Sequence, residues 1–181
     1  MADKPDIRVL FDEDTIAQRV QEVAEEIAAD KPHNLLVVAI LKGSFMFAAD
    51  LARALHKSNI APEMEFLHLS SYGKGTVSSG EVKVLRDIES NVEGRDVILV
   101  DDILESGRTL LFAQNMIASR GAKSVRVAAL LDKPKNRIAE IKSDYIGFDC
   151  PDKFVVGYGM DMGHAWRQLP FIGYVPQEGD E

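Results

Sequence analysis

The chain has 181 residues, a formal net charge of −8 and a single cysteine, Cys150. That length supports one hydrophobic core and hence a single domain over 1–181, while the negative balance offers no field to hold a polyanion and excludes a nonspecific nucleic-acid partner. One cysteine rules out an intrachain disulfide framework and fits a reducing, cytoplasmic setting; the opening MADKPD is no signal peptide, and no apolar run is long enough to span a membrane.

In chain order, Ile16, Val20, Val23, Ala24 and Ile27 recur at helical spacing, and Pro32 marks the end of that helix. Leu35 to Leu41 is a continuous apolar run, the pattern of a strand covered on both faces. A helix from Phe45 to His56 follows the Lys42-Gly43-Ser44 turn. Glu63 to Leu69 predicts a strand, Ser70 to Gly80 a glycine- and hydroxyl-rich mobile loop, and Glu81 to Leu85 its partner strand. Val97 to Val100 predicts a buried strand, Thr109 to Ser119 a helix and Val125 to Leu131 another strand. Tyr145 to Phe148 and Phe154 to Tyr158 predict short strands, and Arg167 to Val175 a final mixed element. This alternation predicts an α/β fold with a mainly parallel central sheet flanked by helices. Such sheets bind ligands beyond the carboxyl ends of their strands, where loops at Lys42, Asp101 and Asp132 would meet.

The sequence DDILESGRTL, from Asp101 to Leu110, concentrates the chemistry. A buried strand runs into two carboxylates, then a turn and a helix start. Backbone N–H groups of Ser106, Gly107, Arg108 and Thr109 would surround an anion there, with Gly107 permitting close approach and two hydroxyls adding donors. Asp101 and Asp102 would repel that anion, so they suit ribose hydroxyls or a divalent cation instead. The pattern predicts a ligand with a phosphate at one end and a diol at the other. His33, His56, His68 and His164 are dispersed and show no metal-ligand spacing, Trp166 reads as packing beside the site, and Cys150 reads as a packing residue.

This stretch resembles the phosphoribosyl-pyrophosphate signature of type I phosphoribosyltransferases, and the rest of the chain resembles their hypoxanthine-guanine branch. LKGS at Leu41 to Ser44 is similar to that branch's pyrophosphate loop, and SSYG at Ser70 to Gly73 to the start of its flexible lid. LLDKP at Leu130 to Pro134 and PDKFVVGYGMD at Pro151 to Asp161 resemble its purine-binding segments. The resemblance implies the type I phosphoribosyltransferase fold, with a lid over 70–80 and a small C-terminal hood over 151–181. It also implies a Mg²⁺-dependent glycosyltransferase of purine salvage, a homodimer or homotetramer acting on phosphoribosyl pyrophosphate and a 6-oxopurine.

By that resemblance Asp101 and Asp102 would contact the ribose hydroxyls. Ser106, Gly107, Arg108 and Thr109, with Glu105 at the head of the loop, would cradle the 5-phosphate. Lys42, Gly43 and Arg167 would approach the pyrophosphate, and Ser71 and Tyr72 would descend with the lid. Lys133 would donate to the purine 6-oxo group, Phe154 would stack on the base, and the Val155 carbonyl would face its polar edge. Asp161 would help to hold Mg²⁺. Glu105 would occupy the general-base position beside purine N7, where many family members place Asp. The extra methylene matters because catalytic geometry is sensitive to displacements on the order of 1 Å. Glu105 could serve directly, through a water, or yield to a neighbour.

Lys133 would also set the base: its ammonium favours a 6-oxo acceptor and disfavours adenine, whose 6-amino group is a donor. A xanthine- or guanine-preferring enzyme is the alternative within the class. From another class, a nucleotide-sensing regulator on the same fold would need an effector surface, and an RNA-binding one a basic face. The acidic composition and the full purine segment speak against it.

Overall fold

The computed structural model describes residues 6–71 and 82–176. β1 (Arg8–Phe11) leads into α1 (Glu13–Ala29). Asp12 starts that helix: its Oδ1 accepts from the Thr15 amide at 2.8 Å, and Glu13 and Asp14 place negative charge on the first turn. There follow β2 (Leu36–Leu41), α2 (Phe45–Lys57), β3 (Glu63–Ser71), β4 (Val82–Arg86), β5 (Asp96–Leu104), α3 (Arg108–Ala118) and β6 (Ser124–Asp132). A 3₁₀ turn (Pro134–Asn136), β7 (Tyr145–Asp149), β8 (Val155–Val156) and β9 (Ile172–Tyr174) complete the described chain.

The main sheet has the order β4-β3-β2-β5-β6-β7, with β4 antiparallel at the edge and the other strands parallel. Ile16, Val20 and Ile27 of α1 join Phe47, Leu51 and Leu55 of α2 in one core, with Val37, Ala39, Ile98 and Val100 from the sheet. Leu110, Ala113 and Ile117 of α3 pack on the other face with Leu36, Val38, Val97 and Leu99. Alternate residues of β2 and β5 thus enter two different cores, which is why both strands read as unbroken apolar runs.

A second, antiparallel sheet has the order β1-β9-β8. Its strand β1 has no counterpart among the predicted elements, because four residues at an edge carry too little periodicity to stand out. The segment bearing β8 reaches the carboxyl end of the main sheet: the Lys153 carbonyl accepts from Lys133 Nζ at 3.2 Å.

Two predicted elements differ. The strand expected over Phe154 to Tyr158 is only Val155–Val156, because Gly157, Tyr158 and Gly159 have φ of +96°, +46° and +100° and turn the chain out of any ladder. β5 does not end at Val100 but continues through both aspartates to Leu104, where its ladder with β6 closes at Asp132. Tyr72 and most of the expected lid lie outside the described residues; Ser71 is the last residue of β3, paired with Val82. No described helix is long and apolar enough to cross a membrane.

Candidate active site

Three strand-to-helix loops converge at the carboxyl end. The first joins β2 to α2. Its Leu41–Lys42 peptide is cis, and the buried Ser44 hydroxyl donates to the Ile40 carbonyl at 2.6 Å, tying the turn to the strand it has just left. A side chain at Gly43 would place Cβ 1.6 Å from Asp102 Oδ2, so only glycine allows that carboxylate to lie against the loop. Lys42 is exposed beside it.

The second loop joins β5 to α3. Gly107 caps the helix with φ +77°, and a Cβ there would fall 2.6 Å from Ile141 Cγ2, so glycine is required by both conformation and space. The Leu111 amide is bonded to the Gly107 carbonyl, and the amides of Arg108, Thr109 and Leu110 precede any i−4 partner within the helix. The positive end of the helix therefore opens at Ser106 to Thr109, as the anion reading requires.

Asp101 and Asp102 lie beside this opening. The Asp101 side chain is buried, its Oδ1 accepting from the Asp102 amide at 3.1 Å. Burial, reinforced by the neighbouring carboxylate, pushes Asp101 well above the usual range. Burial raises Asp102 too, and hydrogen bonding to Asp101 and the Arg167 charge draw it partly back. Such a pair attracts hydroxyl donors or a cation and resists a bare anion.

The third loop follows β6. Lys133 is buried, with Nζ 3.0 Å from Glu105 Oε1 and 3.6 Å from Asp152 Oδ1. Asn136 Nδ2 donates to the same Glu105 oxygen at 3.0 Å. Burial works to raise the Glu105 carboxyl, but Asn136 and Lys133 outweigh it and leave it below its ordinary value. Burial likewise works against the Lys133 charge, and Glu105 and Asp152 outweigh it, so the ammonium persists.

The C-terminal segment covers these loops. Phe154 is 51% exposed, so its ring is a free face rather than core filling, and Val155 next to it pairs with Tyr174. At Gly159 a Cβ would sit 2.0 Å from the Gly43 carbonyl, bringing the segment onto the first loop. Arg167 Nη1 donates to the Gly159 carbonyl at 2.6 Å, and its Nη2 pairs with Asp161 Oδ1 at 2.6 Å. Asp161 Oδ2 accepts from the His164 amide at 2.8 Å.

Lys42, Gly43, Asp101, Asp102, Glu105, Ser106, Gly107 and Thr109 line one cleft of about 290 Å³. Lys133 joins them through Glu105, and Arg167 through Gly159 and Asp102. A larger cavity of about 450 Å³ lies between α1, α2 and the C-terminal segment, away from these loops; in its wall Asp50 holds both Arg53 and the Tyr158 hydroxyl at 2.6 Å. Sequence reasoning missed Asn136, Arg137 and Asp152. Arg137 donates to the Glu105 carbonyl at 2.8 Å and Asp152 lies beside Lys133, yet in the sequence both are ordinary charged loop residues.

A parallel sheet whose strand ends gather an open helix N-terminus, a buried acid pair and a lysine–carboxylate pair is the arrangement of a ligand-binding α/β domain suited to a phosphorylated sugar. Residues 9–162 match the phosphoribosyl transferase domain family, and the chain belongs to that family, in its hypoxanthine-guanine branch. It is 44% identical over 167 residues to the hypoxanthine-guanine phosphoribosyltransferase of Bacillus subtilis (strain 168), covering 92% of this chain and 91% of that one. It is 46% identical over 172 residues to the bifunctional protein TilS/HprT of Listeria monocytogenes serotype 4b (strain F2365). That match covers 94% of this chain but spans only 26% of the longer relative. The crystal structure of a hypoxanthine phosphoribosyltransferase from Staphylococcus aureus superposes with a TM-score of 0.88 at 39% identity, covering 94% of this chain and 92% of that one.

Proposed function

We propose that this chain transfers the 5-phosphoribosyl group of phosphoribosyl pyrophosphate to N9 of hypoxanthine or guanine, giving IMP or GMP and pyrophosphate, with Mg²⁺ as cofactor. The observation that carries this reading is the Lys133–Glu105 pair, 3.0 Å apart, at the edge of the cleft that also holds the acid pair and the helix start. On this reading the pair supplies a donor and an acceptor to the purine beside the groups that meet ribose and phosphate.

Amides and hydroxyls of Ser106 to Thr109 receive the 5-phosphate, and Asp101 and Asp102 accept from the ribose hydroxyls. Lys133 turns its ammonium to the purine 6-oxo group, Phe154 stacks on the ring, and the Val155 carbonyl meets its polar edge. Glu105, released from Lys133 and Asn136, accepts the N7 proton and leaves N9 the better nucleophile. Lys42, the Gly43 amide and Arg167 hold the negative charge that builds on departing pyrophosphate.

Among the described residues, no group of three or more His, Cys, Asp or Glu side chains could hold a metal unaided. The carboxylate oxygens of Asp161 and of the acid pair are hard donors, and Asp161 keeps lone pairs beyond its bonds to Arg167 and His164. This fits Mg²⁺, which needs only one or two carboxylates when substrate oxygens and waters complete its shell. When bound, the ion neutralises charge on the pyrophosphate. The enzyme works as a homodimer or homotetramer in the cytoplasm; the exposed Phe66 and Leu85 on adjoining strands offer apolar surface for a subunit contact.

A panel of hypoxanthine, guanine, xanthine and adenine, with phosphoribosyl pyrophosphate and with or without Mg²⁺, tests the reading. Hypoxanthine and guanine give nucleotide, xanthine less. Adenine gives none, because two donors facing each other at Lys133 cost roughly 1–3 kcal/mol or more. Removing Mg²⁺ leaves almost no product. Efficient adenine turnover would overturn the purine assignment.

A further inference from the structure

The segment after β6 presents Lys133 and also grips the phosphate loop from behind. The Leu104 carbonyl accepts from the Lys133 amide at 3.0 Å and from Arg137 Nη2 at 2.9 Å. The Glu105 carbonyl accepts from Arg137 Nε at 2.8 Å, and the Ser106 carbonyl from the Ile138 and Ala139 amides, both at 3.0 Å. Consecutive carbonyls are therefore all drawn toward one partner segment. A trans peptide unit is planar, with its C=O and N–H pointing in opposite directions. Holding the carbonyls of Leu104, Glu105 and Ser106 aims the N–H groups of Glu105, Ser106 and Gly107 away from that segment, where these residues line the cleft.

Arg137 is built for this task. Its side chain is only 18% exposed, Nη2 also pairs with the Asp132 carboxylate, and Nη1 donates to the Ile141 carbonyl at 3.0 Å. Its Cδ lies 3.1 Å from where a Gly107 Cβ would be, so the arm packs directly under the turn. The guanidinium fork reaches two successive carbonyls of the loop, the end of β6 and the far side of its own segment at once. A lysine ammonium is a compact group that cannot span them.

We infer that Arg137 is a positioning residue for phosphoribosyl transfer, an inference that rests on the reading above. It acts through the loop: it orients the amides that meet the 5-phosphate. Lys133 and Asn136 share its segment, so the purine and phosphate sites hang on one structural member.

The test compares wild type, Arg137→Lys and Arg137→Ala for KM toward each substrate, kcat and folded fraction by near-UV circular dichroism. Arg137→Lys raises KM for phosphoribosyl pyrophosphate by about tenfold, the effect of losing one or two hydrogen bonds, while KM for hypoxanthine stays within about threefold. Added methylguanidinium lowers the raised KM of Arg137→Ala, and methylammonium does not. A merely structural role would reduce the active fraction, and so kcat, without a selective change in KM. Should the Arg137 variants fail to fold, Asp132→Asn, which removes the guanidinium's anchor, carries the same test with a smaller selective rise. An unchanged KM for phosphoribosyl pyrophosphate in a folded variant overturns the inference. Wild type inactive on both 6-oxopurines would instead overturn the transferase reading.

Discussion

At the end of the main sheet where its parallel strands begin, acids are met by hydrogen-bond donors and cations; where β5 ends, two carboxylates crowd one buried spot. At the amino end the Tyr145 hydroxyl donates to Asp30 at 2.7 Å, and Arg126 pairs with both. That hydrogen bond, with the Arg126 charge, holds Asp30 below the usual carboxylate range. Burial works to raise Asp96, but the His33 amide and the Ser124 hydroxyl, each at 2.7 Å, bring it down. At the carboxyl end the sign reverses for the acid pair alone: Asp101 stands well above its ordinary value through burial and the adjacent Asp102, while Glu105 beyond it is held below its own by Asn136 and Lys133. The difference teaches what each end is for. The amino end pairs its charges and so holds the strands together, whereas the end of β5 holds two carboxylates side by side out of water, at a cost to stability.

The sharpest way to break that comparison is to remove the acceptor with a direct chemical task. Glu105→Gln keeps length and hydrogen-bonding shape but loses the basic carboxylate. Turnover falls by about 10²-fold, near the lower end for acid–base catalysis, because Lys133 already activates the 6-oxo purine. Binding of phosphoribosyl pyrophosphate survives. Single-turnover nucleotide formation across pH decides the point: a Gln variant with the rate and pH profile of wild type would remove Glu105 from the base position. Asp101→Asn is the second test. Because the folded pKa of Asp101 is raised above the free value of 3.8, its protonated state stabilises the fold at low pH, and that contribution is lost as pH rises through the folded value. At neutral pH the acid pair is therefore a net cost. The Asn variant should melt higher, by about 2–4 °C for each kcal/mol of repulsion removed, while binding phosphoribosyl pyrophosphate more weakly. Its thermal advantage should appear only as pH rises above the ordinary carboxylate range. A lower melting temperature at neutral pH would show that the hydrogen bond from the Asp102 amide outweighs burial and repulsion.

The central elements were legible because their signals are local. The apolar runs at Leu35 to Leu41 and Val97 to Val100 lie between two cores, and the helical spacing from Ile16 to Ile27 faces only one. The Asp101 to Thr109 stretch was legible for the same reason: acid pair, turn, glycine cap and helix start are contiguous, so one window of sequence holds most of a site. What stayed hidden depends on contacts between distant segments. β1 becomes a strand only because β9 supplies its ladder from the other end of the chain. Arg137 acquires its place through carbonyls more than thirty residues earlier, and nothing in PKNRIA distinguishes it from its basic neighbours. Gly43 was expected at the pyrophosphate loop, but the reason that no side chain fits there comes from Asp102, a neighbour only in space.

The smallest expected effect sharpens the comparison from the other end. Tyr145→Phe deletes a hydroxyl that donates to Asp30 and accepts from Arg126 Nη1 at 2.6 Å, leaving those two charges to each other. Loss of this hydrogen bonding costs about 1 kcal/mol, near the net value of a single intramolecular bond, because the ion pair remains. Transferase activity at neutral pH should not change, since Tyr145 begins β7 at the end of the sheet away from the cleft. Burial and the Asp30 carboxylate raise the Tyr145 phenol from 10.0 to about 12. With a raised folded value, its contribution is fully present below pH 10 and is lost as pH rises toward 12. The stability gap between wild type and variant, read from urea midpoints, should therefore hold steady below pH 10 and close across that window. A gap that stays constant through it would mean that the hydroxyl titrates as it does in water. A variant that loses activity at neutral pH would show that the two ends of the sheet are not independent, and that charge pairing at the amino end helps to hold the acid pair in place.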